Sequence, residues 1–386
     1  MKTLLTDAQA GRYAEFQAFA AESVAPFAAA WDRAEQIPAA AVQQLAATGY
    51  LGALVPEEYG GPGWDVVTFG LLNEALGRAD SAYTGMITVQ AMIAMALLKW
   101  GSPLQRDRWL RPLARGEIMG AIALTEAAGG SDLSSLALEF RRSADGSQFI
   151  LSGEKRWVTS SQMAGIFLVF GKADGQSVAG LVPRESPGFE IEPIQDLMGF
   201  RAAGLAKLTF RDVVIPAEYL VGKPGFAVSH VAPEALHFGR ISTACSALGL
   251  LRGCLEESAG YAARRRVGKR ALREMGMIQT QLARMGSDWE AAQLLCWIAC
   301  RSQDERRPEK FRQAFTAKYF TSRAAVRAAS DAVQIFGAAG IHESNPVARF
   351  YRNCKIMEII EGTSQIHERV LSQEHVHDAI ARQRRQ

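Results

Sequence analysis

The sequence predicts an α+β fold in which a helical block, a strand-rich block and a second helical block follow one another along the chain. Apolar residues recur every three or four positions up to about Arg115 and again after Pro224, which is typical of amphipathic helices. Between about Gly120 and Val221 the apolar runs are short, rich in β-branched and aromatic residues, and separated by glycine and proline. Because helices and strands occur in separate blocks along the chain, an α+β fold is favoured over a parallel sheet built from alternating strands and helices.

The chain of 386 residues is longer than one hydrophobic core usually serves, so two or three domains are expected. We place an N-terminal helical domain at 1–119, a middle strand-rich domain at 120–223 and a C-terminal helical domain at 224–386. In the first domain, Pro38 suits the opening turn of a helix, and Ser102 followed by Pro103 suits a capped helix start. The helices expected there from apolar spacing are Ala39–Thr48, Val66–Arg78 and Thr88–Trp100.

In the middle domain, apolar runs bounded by turn residues predict strands in a small antiparallel sheet pair or barrel. They are Phe149–Gly153, Ile166–Phe170, Val178–Val182 and Leu208–Phe210. The C-terminal domain predicts a helical bundle. Its helices are about Val228–Arg265, Leu272–Gln303 and Pro308–Phe336, with a shorter one from Ser364. No G-x-G-x-x-G motif follows a predicted strand, which disfavours a Rossmann nucleotide site.

Bulk properties exclude several classes of protein. The net charge of +3 is too small for a nucleic-acid binder. The five cysteines are odd in number and show no C-x-x-C spacing, which predicts a reduced, metal-free protein of the cytoplasm. The N-terminus lacks the apolar centre of a signal peptide, and we expect no apolar run long enough to span a bilayer.

Two distant segments carry the chemistry. Glu361 lies between the apolar pair Ile359-Ile360 and Gly362, where burial of its carboxylate is expected. The segment from Leu124 to Asp132 is a small-residue loop whose N–H groups and hydroxyls can approach a flat, phosphate-bearing cofactor. Together they predict a buried base facing a flavin; the alternative for Glu361 is a solvated carboxylate at a helix end.

Three ordered motifs resemble those of the acyl-CoA dehydrogenase family. They are Ala123–Ser135, Gln334–Asn353 and Glu361–Gln365, and the resemblance covers essentially the whole chain. It implies an N-terminal α-helical domain, a middle β-barrel and a C-terminal four-helix bundle, with FAD bound between barrel and bundle. It also implies a homodimer or homotetramer in which a neighbouring subunit completes the flavin site.

The resemblance also implies roles for individual residues. Glu361 matches the catalytic base that takes the α-proton of an acyl thioester while the β-hydride passes to flavin N5. Its backbone N–H, with a flavin ribityl hydroxyl, would hold the thioester oxygen. Arg240 matches an arginine near the thioester, and Gly239 rules out the base position that some relatives use there. Substrate contacts are expected at Arg240, Ser131 and Gly362, and no metal site is expected.

The cofactor contacts fall into groups. Leu124 and Thr125 match flavin-ring contacts, Trp157 and Thr159 match the flavin-stacking and hydrogen-bonding pair, and Gln334 and Gly337 match contacts to a dinucleotide of a second subunit. The full expected set is Leu124, Thr125, Gly130, Ser131, Trp157, Thr159, Arg264, Gln334, Gly337, Thr363 and Gln365. Alternatives remain: Trp157 in a strand core, a tight turn at Gly130-Ser131, and Thr363 as a helix cap.

The pattern departs from the family between Arg264 and Gly276. Val267 stands where a phenylalanine is expected, and Glu274-Met275 replaces His-Gln, which puts intersubunit adenine contacts in doubt. Three segments look like the branch that acts on acyl-carrier-protein thioesters, including hydroxymalonyl-type extender units of polyketide and nonribosomal peptide pathways: Phe200–Gly204, Phe238–Arg240 and Met357–Gly362. The basic run from Arg264 to Arg273 could meet an acidic carrier protein or be a solvated helix end with pyrophosphate contacts.

The leading hypothesis is therefore FAD-dependent dehydrogenation of an acyl thioester on CoA or a carrier protein, with electron-transfer flavoprotein or oxygen as the acceptor. An alternative is oxidation of a 2-hydroxyacyl carrier-protein thioester at the alcohol carbon. A flavin monooxygenase on this fold is disfavoured because it has no use for the base Glu361. A non-catalytic helical scaffold is disfavoured by the set Thr125, Trp157 and Thr363.

Overall fold

A computed structural model of the protein describes residues 4–383. Its N-terminal domain is helical, and Ser102 and Gln105 form the expected capping box with Pro103 at the first helical position. The helices are α1 (Asp7–Phe19), α2 (Ala28–Ala34), α3 (Ala39–Ala47), α4 (Val66–Ala79), α5 (Ser81–Trp100) and α6 (Pro103–Ala114). Helix α5 begins earlier than predicted because the Asp80 side chain accepts the N–H of Ala82 at 3.0 Å and starts a new helix directly after α4.

Helix α5 corrects one expectation from the sequence. Its 20 residues have a mean hydropathy of 1.5 in their most apolar stretch, long and apolar enough to cross a membrane, whereas no such run was expected. In the folded chain 94% of that stretch is buried inside the protein, where α5 packs against α7 (Ala232–Arg264). Such burial is typical of the core helix of a domain.

The middle domain is one curled, seven-stranded mixed sheet rather than a pair of antiparallel sheets. Its strands are β1 (Gly120–Ala123), β2 (Glu139–Arg142), β3 (Gln148–Val158), β4 (Ile166–Ala173), β5 (Gln176–Pro183), β6 (Phe189–Pro193) and β7 (Ala206–Pro216). Their order is β1-β4-β2-β3-β7-β6, with β5 also paired to β4. Strands β1 and β2 run parallel to β4, which no local pattern in the sequence reveals. The side chain of Gln90 on α5 anchors β1, since its Oε1 accepts the N–H of Gly120 at 2.7 Å.

The C-terminal domain is helical, as predicted. It contains α7 (Ala232–Arg264), α8 (Gly276–Asp304), α9 (Lys310–Phe336), α10 (Pro346–Met357) and α11 (Ser364–Gln383). A short hairpin, β8 (Arg266–Val267) and β9 (Arg270–Ala271), joins α7 to α8 and is exposed except at Ala271. Helix α10 was not predicted, although Pro346 occupies its first turn, where the missing N–H has no consequence.

Side chains at the domain borders hold the three domains together. The Asp304 carboxylate accepts the N–H groups of Val66 at 2.7 Å and Val67 at 3.1 Å, so the end of α8 caps α4. Asn353 on α10 accepts the N–H of Phe200 at 2.8 Å, which fixes the loop after β6 against the C-terminal domain. These contacts bring α5, α7, the sheet and the segment after α10 to one place.

Candidate active site

A cavity of about 380 Å³ lies where the three domains meet. Most of the site residues expected from the sequence line it, although they come from segments far apart in the chain. They are Leu124, Thr125, Gly130, Ser131, Trp157, Thr159, Arg240, Glu361, Gly362 and Thr363. The fold therefore brings the two chemistry-bearing segments together.

Glu361 belongs to a tight turn between α10 and α11. Its backbone is left-handed, with φ of +54°, and Gly362 follows with φ of +97°. The Oε2 atom of Glu361 is buried and has no hydrogen-bond partner. Burial raises the pKa of Glu361 to about 7, against the opposing positive charges of Arg240 and Lys318. A carboxylate with this pKa can both hold and release a proton near neutral pH.

Gly239 makes room for this carboxylate. A Cβ atom added at Gly239 would lie 2.5 Å from Cδ of Glu361 and 2.8 Å from Sδ of Met92. The backbone of Gly239 is thus the surface against which the Glu361 carboxylate packs. The sequence excluded a base at this position but did not show that a side chain there would displace Glu361.

Two side chains that were not predicted from the sequence contact the backbone of this turn. Lys318 on α9 donates from Nζ to the carbonyl oxygen of Gly362 at 2.6 Å. His367 on α11 lies between two carbonyl oxygens, with Nε2 3.3 Å from that of Glu361 and Nδ1 3.1 Å from that of Phe315. Burial lowers the pKa of His367 to about 4, so the ring is neutral at pH 7.

Arg240 contributes a positive charge to the cavity wall. Its guanidinium lies over the ring of Phe315, 4.2 Å from the ring centre, and its Nε is buried without a partner. Burial lowers the pKa of Arg240 to about 10, and the nearby Glu361 opposes this shift, so the side chain stays charged at neutral pH. The cavity therefore holds a charged arginine and a titratable carboxylate close together.

The opposite wall comes from the middle domain. Trp157 at the end of β3 is 52% exposed, with φ of +61°, next to an irregularity in the pairing of β3 with β7. Trp157 is therefore not part of the hydrophobic core of the sheet. Its left-handed backbone places the aromatic ring against the cavity, where a flat ligand would cover it. At Gly130 an added Cβ would lie 3.0 Å from Cγ2 of Thr125, so the loop needs glycine there.

A buried ion pair supports this wall. Lys155 and Glu126 are joined by Nζ and Oε1 at 2.6 Å, and both side chains are almost completely buried. The Glu126 carboxylate also accepts the N–H groups of Ala137 at 2.7 Å and Leu138 at 3.0 Å, while Lys155 donates to the carbonyl of Leu124 at 3.1 Å. The pair fixes the loop that carries Leu124 and Thr125.

Four predicted cofactor residues are exposed and do not line this cavity. They are Arg264, Gln334, Gly337 and Gln365. Arg264 ends α7, Gln334 and Gly337 flank the end of α9, and Gln365 lies in the first turn of α11. Their assignment to the dinucleotide half of a cofactor, in this subunit or a neighbour, stays a prediction.

All three domains match those of one enzyme family. Residues 6–117 match the acyl-CoA dehydrogenase N-terminal domain, residues 121–213 the middle domain and residues 229–375 the C-terminal domain. The chain belongs to the acyl-CoA dehydrogenase family. Like other members it is an FAD-dependent oxidoreductase acting on CH–CH donors.

Individual relatives agree with this assignment. The chain is similar to the mitochondrial short-chain specific acyl-CoA dehydrogenase of Mus musculus, with 34% identity over 92% of this chain and 86% of that protein. The structure of butyryl-CoA dehydrogenase from Megasphaera elsdenii is similar with a TM-score of 0.93 and 30% identity, covering 96% of this chain and 99% of that one.

Two further similar structures are a complex with reduced FAD and an enzyme of polyketide biosynthesis. A glutaryl-CoA dehydrogenase from Mycobacterium smegmatis in complex with FADH2 has a TM-score of 0.91 and 26% identity, covering 97% of this chain and 96% of that one. FkbI, described for biosynthesis of the methoxymalonyl extender unit of a polyketide, has a TM-score of 0.86 and 28% identity, covering 95% and 99% of the two chains.

Proposed function

We propose that this acyl-CoA dehydrogenase oxidises a short-chain acyl thioester and that Glu361 removes the α-proton. The observation that carries the proposal is the Glu361 carboxylate, which faces a cavity with a buried, unpartnered Oε2. An α-proton next to a thioester is weakly acidic, so its removal needs a carboxylate made more basic by desolvation. Bound FAD supplies the acceptor for the β-hydride.

The chain's own residues fit these steps. Trp157, Thr159 and Thr125 offer a ring face and hydroxyls to the flavin from the sheet side of the cavity. Glu361 reaches the same cavity from the helical side, and Gly239 leaves its carboxylate the space it needs. The backbone N–H of Glu361 is the candidate donor to the thioester oxygen, where negative charge develops as the proton leaves.

The cavity favours a short acyl chain. Between α5 and α7 its lining includes the hydroxyl residues Thr84, Thr88, Thr243 and Ser246; Thr84 and Ser246 are joined by their hydroxyl oxygens at 2.9 Å. A long alkyl chain would have to displace or desolvate these groups. The similarity to short-chain and butyryl-CoA dehydrogenases supports the same substrate class.

The direct test is anaerobic mixing of the purified yellow protein with butyryl-, octanoyl- and palmitoyl-CoA while the flavin absorbance is followed. We expect butyryl-CoA to bleach the flavin fastest. We expect Glu361→Gln to keep the bound FAD and lose the bleaching. Rapid bleaching of the Glu361→Gln protein would remove Glu361 from the mechanism and favour chemistry without an α-proton base, such as a monooxygenase reaction.

A second candidate function is oxidation of a carrier-protein thioester, including a 2-hydroxyacyl group of the hydroxymalonyl type. It is supported by the similarity to FkbI and by the hairpin of Arg266, Val267, Arg270 and Ala271, which carries positive charge suited to an acidic carrier. The test compares one acyl group on CoA and on a carrier protein. Faster bleaching by the carrier form, lost on charge reversal at Arg266 and Arg270 and weakened by salt, would favour this candidate.

A further inference from the structure

Lys318 is an unusual residue in the C-terminal domain. Its side chain is fully buried on α9, and in residues 4–383 no carboxylate lies within ion-pair distance of it. Lysine is almost never fully buried unless it is paired. Its one hydrogen bond runs from Nζ to the carbonyl oxygen of Gly362 at 2.6 Å. The buried Nζ of Lys318 is thus aimed at the residue that follows the proposed base Glu361.

The titratable groups around Lys318 come from two other helices, from the residue after α10 and from the turn. They are Arg240 on α7, His367 on α11, which is neutral at pH 7, Glu358 directly after α10, and Glu361 in the turn. Glu361 is the strongest attractive charge. Burial lowers the pKa of Lys318 to about 7, with Glu361 opposing the shift. The opposite charges of Lys318 and Glu361 therefore favour each other.

The hydrogen bond also constrains the backbone. Glu361 and Gly362 both have positive φ, and for a glutamate this conformation is held only where the surroundings enforce it. Lys318 holds the Gly362 carbonyl, and His367 lies against that of Glu361. The turn is therefore fixed by the hydrogen bond from Lys318, with the His367 ring packed beside it.

We infer that Lys318 is the positioning residue of the base: its Nζ fixes the turn that aims the Glu361 carboxylate, and its charge favours the ionised form of that carboxylate. This inference rests on the proposed role of Glu361. A purely structural lysine would fix the turn but would not change the ionisation of Glu361. The hydrogen bond and the charge therefore have to be separated experimentally.

Two substitutions separate them. Lys318→Gln keeps an N–H donor but removes the charge, whereas Lys318→Met removes both. Losing the charge raises the pKa of Glu361, so the pH at which flavin reduction reaches half its maximal rate moves up by about one unit in both variants. At pH 7 this lowers the rate about fivefold. Lys318→Met also loses the donor, so its maximal rate at high pH falls by a further factor of about 10 to 100.

The experiment uses the FAD-loaded protein and measures anaerobic flavin reduction by butyryl-CoA from pH 6 to 9. The control is Lys310→Gln, which removes a lysine at the start of the same helix and leaves the profile unchanged. An independent readout without turnover is infrared titration of the carboxyl band that disappears in Glu361→Gln. That band shifts to higher pH in both Lys318 variants.

Circular dichroism and FAD content establish that each variant is folded, and Lys318→Gln carries the test alone if Lys318→Met does not fold. A wild-type profile and an unmoved carboxyl band in Lys318→Gln would overturn the inference while leaving Glu361 as the base. Wild-type bleaching by Glu361→Gln would instead overturn the proposed function. The two failures are therefore distinguishable.

Discussion

Gly239→Ala tests whether the position of the Glu361 carboxylate decides activity. The added methyl carbon would lie 2.5 Å from Cδ of Glu361 and 2.8 Å from Sδ of Met92. Ordinary contact requires the carboxylate to retreat by about 1 Å. Both neighbours are ends of flexible side chains, so the fold can absorb the change with a loss of about 1–3 kcal/mol, which the better helix preference of alanine partly offsets. A displacement of this size at a reacting group lowers the rate about 100-fold.

The assay is the rate of anaerobic flavin reduction by butyryl-CoA, measured beside the thermal unfolding temperature and the FAD content. Gly260→Ala, on the same helix, is the matched control, because its added carbon would lie 3.4 Å from the flexible end of Arg264. We expect both variants to fold and bind FAD, and only Gly239→Ala to lose activity. If Gly239→Ala reduces flavin at the wild-type rate, the carboxylate does not act from the position seen here.

Three further predictions concern cofactor binding and stability. Trp157→Ala should release FAD more readily on dilution, because the exposed ring lines the sheet side of the cavity, where we propose that the flavin binds; unchanged FAD content would show that the ring does not touch the cofactor. Lys155→Met should lower the free energy of unfolding by about 3–5 kcal/mol in urea titrations, since it leaves the buried Glu126 charge unpaired, and a loss below about 1 kcal/mol would contradict this. Because burial raises the pKa of Glu361 to about 7, the stability that this group contributes is present at low pH and lost as pH rises through 7. FAD-free Glu361→Gln should therefore be more stable than the wild type at pH 8 by up to about 3 kcal/mol and gain little at pH 5; an equal difference at both pH values would contradict the shift.

Local sequence signals predicted much of the fold. Helix periodicity and caps located α4, the start of α6, and α9 closely, and short apolar runs between turn residues located β3, β4 and β5. The pairing of strands distant in the sequence was not predictable. Strand β1 pairs in parallel with β4, which lies more than 40 residues later in the chain, and no local pattern records such a pairing. The early start of α5 depends on one Asp80 side chain that divides two helices.

The residues of the site also fall into those that local sequence predicts and those that it does not. Glu361, Thr125 and Trp157 were predicted because they lie in motifs with family spacing. Lys318 and His367 act through contacts across helices that no short motif records. A signal for Lys318 did exist, since it occupies a core-facing position among the small residues of α9, where a lysine is out of place.

The most direct test of Glu361 as the base compares flavin reduction by butyryl-CoA carrying hydrogen or deuterium at the α-carbon, below and above pH 7. If Glu361 takes the α-proton, the rate rises with pH through about 7 and deuterium slows it at every pH. The Glu361→Gln protein, with its FAD in place, loses rapid flavin reduction and the increase of the rate with pH. A rate that is independent of pH and of α-deuterium in the wild type would contradict the mechanism.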